Sequence, residues 1–136
     1  MNNIKKILNL GINAKKASIL LSNISGKKKN EGIKELKKNL KKFSEDLIIA
    51  NKIDIKKALS NKISSAMIDR LTLNDDRIKD MIKSLDEIIK LKDPVGCIIS
   101  EWPRPNGLHI QKISIPLGVI GVIYESRPNV TVDASA

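Results

Sequence analysis

Aromatic residues are almost missing from this sequence, whose 136 residues include one Phe, one Trp and one Tyr. Surfaces that read nucleic acid stack bases on aromatic rings and use arginine forks, and arginine is also scarce, at 4 against 21 lysines. The single cysteine, Cys97, excludes a disulfide scaffold, and one cysteine with one histidine, His109, makes no metal site. No apolar run approaches the ~18 residues of a membrane span. The residues from Met1 to Ile7 show neither an apolar signal core nor a small-residue cleavage site, so the expected compartment is the cytoplasm. Only seven Gly and five Pro, with 41% apolar residues, exclude collagen-like and disordered chains and leave one domain as the prior.

What is abundant is positive charge, a formal +10. Lys, Ile and Asn, at 21, 23 and 12 residues, all have A/T-rich codons, so the base composition of the gene accounts for the excess without a polyanionic partner. The alternative is a basic helical module that binds nucleic acid or an anionic membrane, an affinity that would fall steeply with salt.

The composition changes at Asp93-Pro94. Residues 1–92 hold 22 basic and 11 acidic residues, whereas residues 93–136 hold 3 and 4 together with all five prolines and four of the seven glycines. The first part reads as helical. Ile7, Leu10, Ala14, Ala17, Leu21 and Ile24 make one apolar stripe, and after Ser25-Gly26 a second runs through Ile33, Leu36, Leu40, Phe43 and Leu47. The lysines at 34, 37, 38, 41 and 42 fall on the other faces and read as solvated. A less regular stretch from Ala50 to Ser65 leads to a short helix around Ala66 to Leu71. Asn74-Asp75-Asp76 then starts a helix with the buried stripe Ile78, Met81, Ile82, Leu85 and Ile89, stopped by Asp93-Pro94.

Beyond the proline, Val95 to Ser100 and Leu108 to Ser114 read as two strands joined through the turn residues Pro105-Asn106-Gly107. Val119 to Tyr124 is apolar on both faces, the pattern of a strand buried in a parallel sheet. Glu125 to Asn129 would be the loop at its carboxyl end, and Val130 to Ala136 begins another element.

The block Pro116-Leu-Gly-Val-Ile-Gly-Val-Ile-Tyr-Glu-Ser-Arg-Pro-Asn-Val-Thr-Val-Asp133 resembles gamma-glutamyl phosphate reductases (glutamate-5-semialdehyde dehydrogenases) of the aldehyde dehydrogenase superfamily. Asp69-Arg70-Leu71, Arg77, Asp93-Pro94-Val95-Gly96 and Asn106-Gly107-Leu108 agree in order and spacing. Members of that family are much longer, so the resemblance implies an N-terminal fragment, inactive alone and poorly soluble through the apolar edge of an unfinished sheet. It implies an α/β parent with three parts here: residues 1–92 as a helical lead-in to the cofactor domain, 93–115 as a β-hairpin, and 116–136 as the first strand, active-site loop and helix start of a Rossmann-like domain.

The resemblance also implies an activity. The family reduces L-glutamyl 5-phosphate with NADPH to L-glutamate 5-semialdehyde and phosphate, the second step from glutamate to proline. A cysteine thiolate attacks the acyl phosphate, and that cysteine lies beyond residue 136. A homo-oligomer and a functional link to glutamate 5-kinase are expected, with neither nucleic acid nor membrane as partner. Asn129 takes the place of the superfamily asparagine that holds the oxyanion. Bare sequence favours a helix cap at Asn129, the resemblance favours the oxyanion role, and the two are compatible. Tyr124, Glu125 and Ser126 become cofactor-binding candidates, mostly through backbone. Arg127 becomes a substrate-binding candidate, with a salt bridge to Glu125 or another acid as its alternative.

Other residues carry no such reading. Cys97 sits in an apolar strand with no nearby histidine or arginine cluster to activate a thiol. His109 follows a turn, where a surface side chain is expected, and Trp102 is expected to cover apolar surface near the hairpin. Gly118 and Gly121 lie inside a β run without the strand, glycine loop and helix order of a dinucleotide fingerprint, and read as close packing.

Overall fold

The computed structural model describes residues 3–136. Its elements run α1 (Asn3–Leu21), α2 (Gly26–Lys42), α3 (Ser44–Ser60), α4 (Ser65–Leu71), α5 (Asp75–Lys90), β1 (Ile98–Pro103), β2 (His109–Ile113) and α6 (Pro128–Asp133). They divide into two units, one combining the chain up to Gly26 with Lys92–Gly121, the other combining Lys27–Leu91 with Val122–Ala136. Among the described residues no helix is long and apolar enough to cross a membrane.

The first unit holds α1 and the hairpin. The α1 stripe has the expected spacing, yet none of its residues is buried, and Ile7, Leu10 and Leu21 are more than half exposed. In the antiparallel hairpin Glu101 pairs with Gln111, Trp102 with Ile110 and Pro103 with His109. The turn closes where expected: the Arg104 N–H donates to the Leu108 carbonyl at 2.7 Å and the Gly107 N–H to the Arg104 carbonyl at 3.0 Å. Gly107 sits at φ +84°, a left-handed conformation that glycine adopts without cost. β1 starts three residues later than Val95, because Gly96 turns at φ +80° and spends its N–H on the Ser114 carbonyl. Across the strands the Glu101 carboxylate accepts from Gln111 Nε2 at 3.0 Å and meets His109 Nε2 at 3.1 Å. These bonds, Gln111's foremost, hold its pKa below the ordinary value. The lowered group supports the hairpin above the ordinary carboxylate range and loses that support as pH falls through the lowered pKa.

The second unit contains the core. Ile78, Met81 and Leu85 of α5 are buried with Leu40 of α2, Leu73 and Val132 of α6, flanked by Ile33, Leu36, Ile48, Ile82 and Ile88. Asn74 caps α5 as its sequence implies, Oδ1 accepting from the Arg77 N–H at 2.9 Å, with Asp75 and Asp76 in the first turn. Lys37 forms an ion pair with Asp86 and Asn30 Nδ2 donates to the Ile89 carbonyl, so α2 is fastened to α5 along its length.

Three expectations change here. The second helical stripe does not run unbroken through Leu47: the backbone bends at Phe43, where φ is −104° and ψ is 18°, and α3 starts at Ser44. The stretch from Ala50, read as irregular, is helical to Ser60. Its inward positions, Ile48, Asn51, Ile55 and Ala58, keep helical spacing, but an asparagine among them breaks the apolar pattern. Val119 to Tyr124 forms no ladder, and Ile123 is fully exposed. A strand is defined by its partners, and the described residues offer this segment none.

The buried Asn51 is the polar member of the core. Its Nδ2 donates to the Leu71 carbonyl at 2.8 Å and its Oδ1 accepts from the Leu73 N–H at 2.7 Å, so one side chain satisfies both backbone groups of the turn between α4 and α5. Asn51→Ala removes both bonds and leaves two backbone groups without partners, which should destabilise by ~2–4 kcal/mol. An unchanged urea midpoint would contradict this. At the other end of α3 the Ile63 N–H bonds the Ala58 carbonyl and the Lys62 N–H the Leu59 carbonyl, a Schellman closure with Lys62 at φ +55°. Lys62→Gly should raise the midpoint, by ~0.5–1 kcal/mol of relieved left-handed strain.

Candidate functional site

The last helix starts where proline allows it to. Pro128 opens α6 with its fixed φ and no N–H to satisfy, and Arg127 stands before it in an extended conformation. Ser126 adopts φ +54°, left-handed and unusual for a residue with a side chain. It redirects the chain from the unpaired apolar segment into α6. Two contacts then fix α6 on α5: Val132 enters the core, and Ser84 Oγ donates to Asp133 Oδ1 at 2.9 Å.

Asn129 lies inside α6, beyond the cap position at Arg127, and no side-chain cap bond is made. The capping alternative is therefore overturned, because the helix starts one residue before Asn129, at Pro128. Its Nδ2 donates instead to Asp133 Oδ2 at 3.3 Å, one turn on. An amide carries two N–H donors and an acceptor, so one donor is held by the helix and the other remains for a ligand.

A cleft of about 460 Å³ lies between this turn and the corner joining α4 to α5, with Arg70, Arg77, Asp80, Arg127, Asn129 and Asp133 on its wall. Three of the four arginines line it and no lysine does. They are not equivalent. Arg77 donates from Nη1 to the Thr72 carbonyl at 2.7 Å and to the Asp69 carbonyl, and from Nη2 to Asp69 Oδ1 at 2.8 Å. The guanidinium groups of Arg70 and Arg127 have no hydrogen-bond or ion-pair partner among the described residues, so the expected alternative for Arg127, a bridge to Glu125 or another acid, is not formed. Asp80 is likewise unpaired, while Asp133 is engaged by Ser84 and Asn129.

Of the residues nominated from sequence, Arg127 and Asn129 share this cleft, whereas Tyr124, Glu125 and Ser126 are absent from its wall. The Tyr124 hydroxyl is hydrogen-bonded to Thr131 Oγ1 at 2.6 Å, which lays the ring against α6. Cys97 is a half-buried free thiol directed at the Asp93 carbonyl, and His109 sits exposed on the hairpin. Arg70 and Arg77 were not nominated as site residues. The available signal was their type, since a lysine-rich chain with four arginines places three of them at one site.

No protein-family model matches the chain. The chain is 46% identical over 127 residues to a gamma-glutamyl phosphate reductase of Bartonella tribocorum and 50% identical over 125 residues to that of Clostridium beijerinckii, covering 93% and 92% of this chain. It covers only 31% and 30% of those relatives, so it spans about a third of their length. Among solved structures, the gamma-glutamyl phosphate reductase of Thermotoga maritima matches with a TM-score of 0.92 at 41% identity, covering 94% of this chain and 31% of that one. The Saccharomyces cerevisiae reductase matches with a TM-score of 0.88 at 29% identity over 99% of this chain and 34% of its own. The helices and the two-stranded sheet are thus one part of a larger α/β reductase fold. Over the region it covers, the chain belongs to the gamma-glutamyl phosphate reductase family.

The Arg77 fork should be necessary to the cleft's shape. A lysine keeps the charge but cannot span two carbonyls and a carboxylate in one plane. Arg77→Lys should lower stability by ~1–2 kcal/mol, after allowance for its partial exposure. A urea midpoint equal to the parent's would show that the corner stands without it.

Proposed function

We propose that this chain contributes to the NADPH-dependent reduction of L-glutamyl 5-phosphate to L-glutamate 5-semialdehyde and phosphate, a step of proline biosynthesis, within the aldehyde dehydrogenase superfamily. The observation that carries the reading is the placement of Arg127 and Asn129 on one turn, fixed by Pro128 and by the core contact of Val132, at the wall of the cleft. The family resemblance supplies the substrate.

The reaction needs two things of this turn. When a thiolate adds to the acyl carbon, the carbonyl oxygen takes on negative charge, and a donor already aimed at it lowers the barrier. One such donor is worth ~2.7–4 kcal/mol. Asn129 has the required N–H free, with its other donor held by Asp133. The acyl phosphate must also be held while the C–O bond between its acyl carbon and the phosphate oxygen breaks, and Arg127 offers an unpaired guanidinium two residues away. The resemblance assigns the attacking thiolate to a cysteine beyond residue 136, and Cys97 keeps its thiol directed at the Asp93 carbonyl.

A nicotinamide cofactor supplies the hydride when bound. The loop fits contact by backbone: among the described residues Tyr124, Glu125 and Ser126 make no backbone hydrogen bonds, so their N–H and C=O groups are open to the polar groups of a cofactor. No cation lies between Ser114 and Ser126, so a 2′-phosphate would be held by residues elsewhere. A cytoplasmic homo-oligomer, working beside a glutamate 5-kinase that supplies the labile acyl phosphate, completes the proposal.

The test uses a reductase chain that contains residues 1–136 and the catalytic cysteine. Asn129→Ala should lower kcat by ~10²–10³-fold with little change in KM or in unfolding midpoint. Unchanged kcat would remove Asn129 from the oxyanion site.

A further inference from the structure

We infer that Arg70 is a second substrate-binding residue of this cleft, receiving the α-carboxylate of the glutamyl group. The inference rests on the proposed substrate. Glutamyl 5-phosphate carries two anionic ends, the phosphate and the α-carboxylate, separated by the length of its carbon chain, and one α-ammonium. The cleft holds, without partners among the described residues, two guanidinium groups, Arg70 and Arg127, and one carboxylate, Asp80. These unpaired groups answer the charged groups of the substrate one for one, each with the opposite sign. Arg77, Asp69 and Asp133 contribute none, because each is already engaged within the protein.

The assignment of ends follows from chain position. Arg127 is two residues from Asn129, on the same turn, and the phosphate is bonded to the very carbon whose oxygen Asn129 would hold. Arg127 therefore takes the phosphate. Arg70 comes from a different wall, the end of α4, and takes the end of the substrate remote from the reacting carbon. Its carrier is rigid: the adjacent Asp69 is held through both its carbonyl and its carboxylate by Arg77, and the next residue, Leu71, gives its carbonyl to Asn51. A guanidinium fork on a fixed stem suits a planar carboxylate, which it can bind by two parallel hydrogen bonds.

The reverse reaction separates the two anions onto two molecules, since glutamate 5-semialdehyde carries the carboxylate and inorganic phosphate is free. In the full-length enzyme, Arg70→Ala should raise KM for the semialdehyde by about 10–100-fold and leave KM for phosphate unchanged. Arg127→Ala should do the opposite. Butanal, an aldehyde without a carboxylate, should react equally with parent and Arg70→Ala enzymes, and Arg70→Lys, with circular dichroism and urea midpoint as checks on folding, should recover part of the affinity. An unchanged KM for the semialdehyde in Arg70→Ala, a raised KM for phosphate, or an equal loss with butanal would each overturn the assignment. A parent enzyme with no phosphate-dependent reduction of NADP would overturn the proposed function instead, so the two failures are distinguishable.

Discussion

Everything on the cleft's helical wall depends on how a short chain turns from α4 into α5 without leaving backbone groups stranded in the core. The turn is only three residues, Thr72 to Asn74, and Leu73 at its centre is buried. A buried N–H with no acceptor costs more than most single contacts contribute. Asn51 removes that cost from one side, and the Arg77 fork holds Asp69 and Thr72 from the other. Between them the corner has one conformation. Arg70, whose guanidinium has no hydrogen-bond or ion-pair partner among the described residues, inherits its position from these neighbours.

The opposite wall is fixed by different means. α6 has six residues, too few to be stable as a helix by itself. It persists because Val132 is buried against α5 and because Asp133 ties both to Ser84 of α5 and back to Asn129. The same carboxylate therefore docks the helix and orients the amide. This coupling explains how an exposed side chain at the edge of a cleft acquires a definite direction, and it places the functional turn under the control of the core.

The fold was most legible where residue type and period agree. The α5 stripe, the Asn74 cap and the hairpin turn at Asn106-Gly107 each rest on local chemistry that any context would leave intact. α3 was illegible for a tertiary reason: Asn51 occupies an inward helical position, and its value comes from Leu71 and Leu73, about twenty residues away, which no local pattern can report. Val119 to Tyr124 shows the converse, a strand pattern with nothing to pair among the described residues. At the site, Arg127 and Asn129 were legible because they sit in one recognisable block. Arg70 and Arg77 were separated from it by some fifty residues, and only folding joins the two.

Charge is where sequence and structure diverge furthest. Lysine dominates the count, yet most lysines of α2 are exposed and Lys37 is paired with Asp86. A lysine ammonium is compact and strongly hydrated, suited to a solvated face. The cleft instead uses arginine, in a chain that otherwise favours lysine. The guanidinium explains the exception: at Arg77 its planar donors satisfy two carbonyls and a carboxylate at once, a task of geometry more than charge. Where position matters the chain keeps the fork, and where only solubility matters it accepts the ammonium. The informative cations of this protein are thus the three arginines that meet at one cleft, and the net positive charge describes the remaining surface.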